Sequence, residues 1–112
     1  RREIASIYST QINNPAVILP SDGDESYVAH LYVLRVSQRS SLQTHLRSYD
    51  ITTDVHYPIP DHRQLIFGDR FASISLPNTE QLAKEVLSLP CYPEMTDDEV
   101  QQVISAVNGW QL

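Results

Sequence analysis

The sequence predicts a mixed layer of helices and short strands, α+β or α/β, and three observations lead there. Apolar residues recur at helical spacing in several separate segments. Short runs rich in β-branched and aromatic residues lie between them, and the prolines fall at the joints. With 112 residues the chain has length for one ordinary domain, which buries roughly two-thirds of its unfolded surface.

Residues 1–14 read as the first helix, because Ile4, Ile7, Tyr8 and Ile12 form one stripe and Asn13-Asn14-Pro15 stops it. Pro20-Ser21-Asp22-Gly23-Asp24-Glu25-Ser26 is a polar loop. Residues 30–36 read as a strand, apolar on both faces and so central to a sheet. A helix follows over 38–48, with Leu42, His45, Leu46 and Tyr49 inward and Asp50 at its left-handed exit. Residues 51–56 are expected to be a second short strand, and Tyr57-Pro58-Ile59-Pro60-Asp61 a stiff extended loop, since two prolines fix two φ angles. Asn78-Thr79-Glu80-Gln81 opens a helix expected to turn Leu82, Val86 and Leu89 inward; Pro90 and Pro93 then bracket an extended connector. Thr96-Asp97-Asp98-Glu99 is a capping box, with Met95 and Val100 as its staple; Val100, Val103, Ile104 and Val107 form the buried stripe and Gly109 the expected stop.

Composition removes several functional classes. A net charge of -6 repels phosphate backbones and anionic lipid, and no apolar run is long enough to span a bilayer. The expectation is therefore a cytoplasmic domain with neither nucleic-acid nor membrane partners. Three scattered glycines exclude a GxGxxG or Walker loop, and no GxSxG elbow exists. The single cysteine, Cys91, excludes an internal disulfide and a Cys-rich zinc cluster. Arg1-Arg2-Glu3-Ile4 has no signal-peptide core and no initiator Met, and the expectation is a processed or excised piece.

The densest polar cluster is Asp54-Val55-His56-Tyr57-Pro58-Ile59-Pro60-Asp61-His62-Arg63-Gln64, in which flanking prolines lower the entropy of holding binding groups in place. The plain alternative is that His56 ends a strand and His62 caps or packs. A metal triad of His56, His62 and Asp54 or Asp61 is possible on paper, but the spacing does not favour it. His45 reads as a packed histidine with one backbone partner, and Cys91 as a small buried hydrophobe. Lys84, the only lysine, reads as a solvated side chain paired with Glu80 one turn back.

Taken together, His30-Leu31-Tyr32-Val33-Leu34-Arg35-Val36, His56-Tyr57-Pro58-Ile59-Pro60-Asp61-His62-Arg63-Gln64, Leu76-Pro77-Asn78-Thr79-Glu80 and Leu87-Ser88-Leu89-Pro90-Cys91-Tyr92-Pro93-Glu94-Met95-Thr96 resemble the C-terminal part of the DegT/DnrJ/EryC1/StrS sugar aminotransferases. Arg1-Arg2-Glu3-Ile4-Ala5 and Tyr8 resemble the helix that joins that family's two domains. The resemblance implies the α+β small domain of the aspartate-aminotransferase (fold type I) superfamily, a short sheet covered by helices. Residues 1–14 would end the interdomain helix, and 15–112 would be the small C-terminal domain. It further implies a pyridoxal 5'-phosphate enzyme that converts a dTDP- or UDP-linked keto-deoxysugar to an amino sugar for cell-surface polysaccharide, with glutamate as donor, as a homodimer. The Schiff-base lysine belongs to the large domain, so no catalytic residue is expected here, and these residues alone should not transaminate. His56, Tyr57 and His62 would line the cleft, with Gln64 and Thr53 behind them, positioning substrate.

Two departures stand out. Asp50-Ile51 replaces the family's usual Gly-Ile, and Leu65-Ile66-Phe67 follows Gln64 where Ala-Tyr is common. Thr53-Asp54-Val55-His56-Tyr57-Pro58-Ile59-Pro60 is most similar to the branch acting on dTDP-linked 3-keto-6-deoxyhexoses. The rival readings are a stand-alone α+β ligand-binding or regulatory module and a metal-dependent hydrolase built on His56, His62 and an Asp. If a large domain normally covers one side, an apolar surface should lie exposed, expected along Ile4, Ile7 and Ile12, with marginal stability or self-association as the result.

Overall fold

Two four-residue strands, paired antiparallel, bury one face against three of the four helices and turn the other toward a long irregular loop. The computed structural model describes residues 1–112. Helix α1 spans Arg2–Gln11, strand β1 Tyr32–Arg35, helix α2 Arg39–Arg47, helix α3 Pro77–Glu85, strand β2 Val86–Leu89 and helix α4 Asp97–Gly109. Short 3-10 turns at Asp61–Arg63 and Leu65–Phe67 interrupt the loop before α3.

The strands pair Tyr32 with Leu89, Val33 with Ser88, Leu34 with Leu87 and Arg35 with Val86. Residues directly opposite share a face, so Tyr32, Leu34, Leu87 and Leu89 form one side. That side meets Ile4, Ala5 and Tyr8 of α1, Leu42 and Leu46 of α2 and Val100, Val103, Ile104 and Val107 of α4 in a single apolar cluster. Val33 and Ser88 point the other way. Each strand has one further bridge at its outer edge, Ile18 with Arg35 and Asp54 with Ser88. These single bridges occupy part of each otherwise open edge.

Helix ends are closed by specific partners, as buried backbone polar groups require. The capping box is present at α4, where Glu99 N–H donates to Thr96 Oγ1 at 3.2 Å and Thr96 N–H to Glu99 Oε2 at 2.8 Å. At the other end of α4, buried Asn14 donates from Nδ2 to the carbonyls of Val107 at 2.8 Å and Trp110 at 2.7 Å. Asn108 answers for α1, accepting Asn13 N–H at Oδ1 (2.8 Å) and donating to the Gln11 carbonyl (3.0 Å). His45 has the single backbone partner expected of it, the Ala106 carbonyl at 2.8 Å. Arg39 donates to the Ala83 carbonyl (2.6 Å) and the Val86 carbonyl (3.2 Å), closing the end of α3. Tyr8, fully buried, donates its hydroxyl to the Pro90 carbonyl at 2.7 Å. Asp50 takes the left-handed conformation, φ 59°. Gly23 lies where a Cβ would collide with Tyr27, so close approach requires glycine there.

Four expectations are corrected. Residues 86–89 are strand, not the inward face of a longer helix. Val86, Leu87 and Leu89 fit a period of two, Leu89 precedes proline and so avoids helix, and β1 needs a partner. Residues 51–56 are not a strand but one bridge at Asp54, whose Oδ1 accepts Val55 N–H at 2.7 Å in place of a ladder bond. Gly109 stays helical, and the stop is made by Trp110, extended at φ -74° and ψ 138°. The exposed apolar surface is not on α1, since Ile4 and Ile12 belong to the core. It lies on the loop, where Leu65 is 92% and Ile66 87% exposed.

Leu87→Ala should cost about 2–5 kcal/mol, because it empties a site with no exposed surface at the middle of the sheet. Asn14→Ala should cost about 1–3 kcal/mol, because it removes the donor to the Trp110 carbonyl and one of the two donors to that of Val107 at the end of α4. Urea unfolding checks both: the midpoint falls while the slope stays the same.

Candidate functional site

The polar cluster of the Pro-rich loop is fastened at three points. At its start, Asp54 exchanges both backbone hydrogen bonds with Ser88, at 3.2 Å and 2.8 Å. Next, the His56 imidazole turns toward β2, its Nδ1 2.9 Å from Ser88 Oγ, while its Nε2 lies 3.7 Å from Asp54 Oδ2. Tyr57 follows, with its ring edge-on to His56 at 5.3 Å and 71% of the residue exposed. Thr53 is half-buried just before the bridge.

The far end of the loop is held by α3. His62 donates from Nε2 to Glu80 Oε1 at 3.0 Å, and Arg63 Nη2 donates to the same oxygen at 3.1 Å. Arg63 also donates to the carbonyls of Phe71 (3.0 Å), Ala72 (3.3 Å) and Ile74 (2.6 Å), so one guanidinium ties together a loop whose own backbone bonds are all short-range turns. Those bonds hold the Glu80 carboxyl below the usual carboxylate range, the His62 bond contributing most and Arg63 next. The expected Glu80–Lys84 pair does not form: Glu80 is engaged by the loop and Lys84 stands exposed. Gln64 folds back, donating from Nε2 to the Ile59 carbonyl at 2.9 Å.

The five predicted residues therefore divide into two groups. His62 and Gln64, with Asp61, Ile66, Phe67 and Phe71, line an open depression of about 500 Å³. His56, Tyr57 and Thr53 lie outside it, toward β2. His56 and His62 are held by different elements, and no three ligating side chains converge as a metal site would require. Glu80 and Ser88, which fasten these histidines, were not among the predicted site residues. The acidic residue in the first turn of α3 was a visible signal; the partner of Ser88 was not. A larger groove of about 1100 Å³ runs between α1 and the 20–28 loop, lined by Ser6, Ser9, Tyr27 and Tyr32 among others, away from both groups.

A covalent pyridoxal site needs a lysine facing a cavity and donors for a phosphate. Lys84 lines neither depression, and the glycines are scattered. These residues by themselves do not fit that coenzyme. Cys91 is buried, which pushes its thiol up, as suits a packing side chain.

The model of the DegT/DnrJ/EryC1/StrS aminotransferase family matches residues 1–108. The chain is 43% identical over 111 residues to the dTDP-3-amino-3,6-dideoxy-alpha-D-galactopyranose transaminase of Aneurinibacillus thermoaerophilus, covering 98% of this chain and 30% of that protein. It is 37% identical over 98 residues to the dTDP-3-amino-3,4,6-trideoxy-alpha-D-glucose transaminase of Streptomyces venezuelae, covering 86% of this chain and 26% of that protein. Among solved structures it is similar to S. venezuelae DesV in complex with a ketimine intermediate, with TM-score 0.85 and 33% identity over 98% of this chain and 31% of that one. It is equally similar in shape to NtdA from Bacillus subtilis with bound cofactor PMP, with TM-score 0.85 and 32% identity over 96% of this chain and 26% of that one. The chain thus spans about 30% of the length of the relatives it matches.

Glu80→Gln should loosen residues 61–76, raising their amide exchange while that of the core strands stays unchanged. The sign of the pH effect follows from the lowered carboxyl. Its anchoring is complete above the ordinary value of 4.5 and is lost as pH falls from there through the depressed value. Limited proteolysis of the loop from pH 6 downward should show that acid-side loosening in the parent and a flat, higher rate in Glu80→Gln.

Proposed function

The chain belongs to the DegT/DnrJ/EryC1/StrS aminotransferase family, and from that premise we propose that it is the small C-terminal domain of a pyridoxal-phosphate-dependent nucleotide-sugar aminotransferase. In this reading residues 1–14 end the helix leading from a large domain and 15–112 form the small domain. The whole enzyme aminates a dTDP-linked keto-deoxysugar with glutamate as donor, as a homodimer, in making a surface polysaccharide. The observation that carries the reading is agreement of sequence and shape over almost the whole chain with sugar transaminases. The name of the Aneurinibacillus relative favours a dTDP-linked 3-keto-6-deoxyhexose as substrate.

When bound, the coenzyme supplies the electron sink for moving an amino group. The residues of this chain do different work. His56 keeps an Nε2 with no hydrogen-bond partner, beside the mostly solvated Asp54 carboxylate at 3.7 Å, and Tyr57 an unengaged hydroxyl, and both can hydrogen-bond sugar or phosphate oxygens. The exposed Tyr57 ring can also stack on an apolar sugar face. His62 and Gln64 already have partners for their Nε2 atoms, so they shape the wall of the depression, with Thr53 supporting the start of the loop. Lys84 takes no part.

In the full-length enzyme, His56→Ala and Tyr57→Ala should each lower kcat/KM for the nucleotide-sugar by about 10-fold, the size of one lost hydrogen bond of about 1.4 kcal/mol. Gln64→Ala should lower it less. Lys84→Ala should leave turnover unchanged, and borohydride reduction of the holoenzyme should fix the coenzyme to a lysine outside these 112 residues. Coenzyme trapped on Lys84, or turnover by this chain alone, would overturn the proposal.

A further inference from the structure

Ser88 is the only polar residue of β2, and it is buried to 5% exposure on the face opposite the helical core. Its backbone carries the Asp54 bridge, and its hydroxyl has one hydrogen-bond partner, His56 Nδ1 at 2.9 Å. Proton bookkeeping at that contact has two solutions, and they place the imidazole proton at opposite ends of the ring.

If Nδ1 carried the proton, Ser88 Oγ would only accept, leaving its own buried hydrogen without a partner, at a cost of about 1–3 kcal/mol. The unprotonated Nε2 would then turn its lone pair toward the Asp54 carboxylate 3.7 Å away. If Ser88 donates to Nδ1, both problems vanish: the hydroxyl hydrogen is used, and Nε2–H faces the carboxylate. Asp54 is the one charged group facing the ring, and its side chain is mostly in solvent, so it biases the ring without sealing it off.

We propose that Ser88 is the positioning residue of His56: its hydroxyl fixes the neutral imidazole with the proton on Nε2, so that the loop presents a hydrogen-bond donor to an acceptor oxygen of the substrate. His56 then recognises a keto, hydroxyl or phosphate oxygen and does not serve as a base. The role rests on the reading of His56 as substrate-facing, and the tautomer can be observed independently of turnover.

The test uses the full-length holoenzyme with 15N-labelled histidine. In its neutral form, His56 should show an unprotonated Nδ1 and a protonated Nε2; Ser88→Ala should move both signals toward the average of the two tautomers, and Ser88→Thr should restore them. In kinetics Ser88→Ala should lower kcat/KM for the nucleotide-sugar about 5-fold, Ser88→Thr should regain most of it, and Ser88→Ala should cost nothing more in a His56→Ala background. A proton on Nδ1 in the parent would overturn the inference. So would a Ser88→Ala loss that persists without His56, which marks a purely structural role, or unchanged kinetics in Ser88→Ala where His56→Ala is impaired. If His56→Ala has full activity while the tautomer still follows Ser88, the substrate-facing reading of His56 is what fails, and the positioning role falls with it.

Discussion

The pairing of Val86–Leu89 with Tyr32–Arg35 is the constraint on which the rest of the structure depends. It joins segments more than fifty residues apart and creates the two faces that everything else uses. On one face, Tyr32, Leu34, Leu87 and Leu89 give three helices a common surface to bury against. On the other, Ser88 is left as a polar point in an apolar strand. A shift of register by one residue would exchange these sets, placing Ser88 in the core and two leucines under the loop. Arg39 protects the register from the side, by holding the carbonyls at the abrupt change from α3 to β2.

The loop before α3 obtains its shape from side chains rather than from a ladder. Three backbone carbonyls and a carboxylate converge on Arg63, and that carboxylate, Glu80, also holds His62. Arginine suits this place because its planar fork serves several acceptors at once without losing charge. The loop is thereby coupled to α3 at one end and to β2 at the other. Its exposed Leu65 and Ile66 lie in the stretch that Arg63 closes by bonding to Phe71, Ala72 and Ile74.

Much of this was legible in the sequence where a single segment carries its own signal. The capping box at Thr96, the stripe of α4, the left-handed Asp50 and the inward His45 all depend on residues within one or two turns of each other. Failures came where a distant partner decides. Leu82, Val86 and Leu89 have helical spacing, but β1 draws the last two into a strand, and Leu87, off that stripe, was the clue. Glu80 lies one turn from Lys84, yet two groups from the loop reach it first. The candidate site followed the same rule. Its residues could be named from one motif, but their division between β2 and α3 could not, because the fastening groups Ser88 and Glu80 lie outside it.

The reciprocal amides at the ends of α1 and α4 have a bearing on chemical durability. Asn108-Gly109 is a dipeptide at which an asparagine side chain readily cyclises onto the following backbone nitrogen. Here the helical backbone and the bonds to Asn13 and Gln11 hold that amide away from the reactive approach. Ageing at this position is therefore gated by fraying of the two helix ends, and the same clasp that closes them also sets the pace of spontaneous damage.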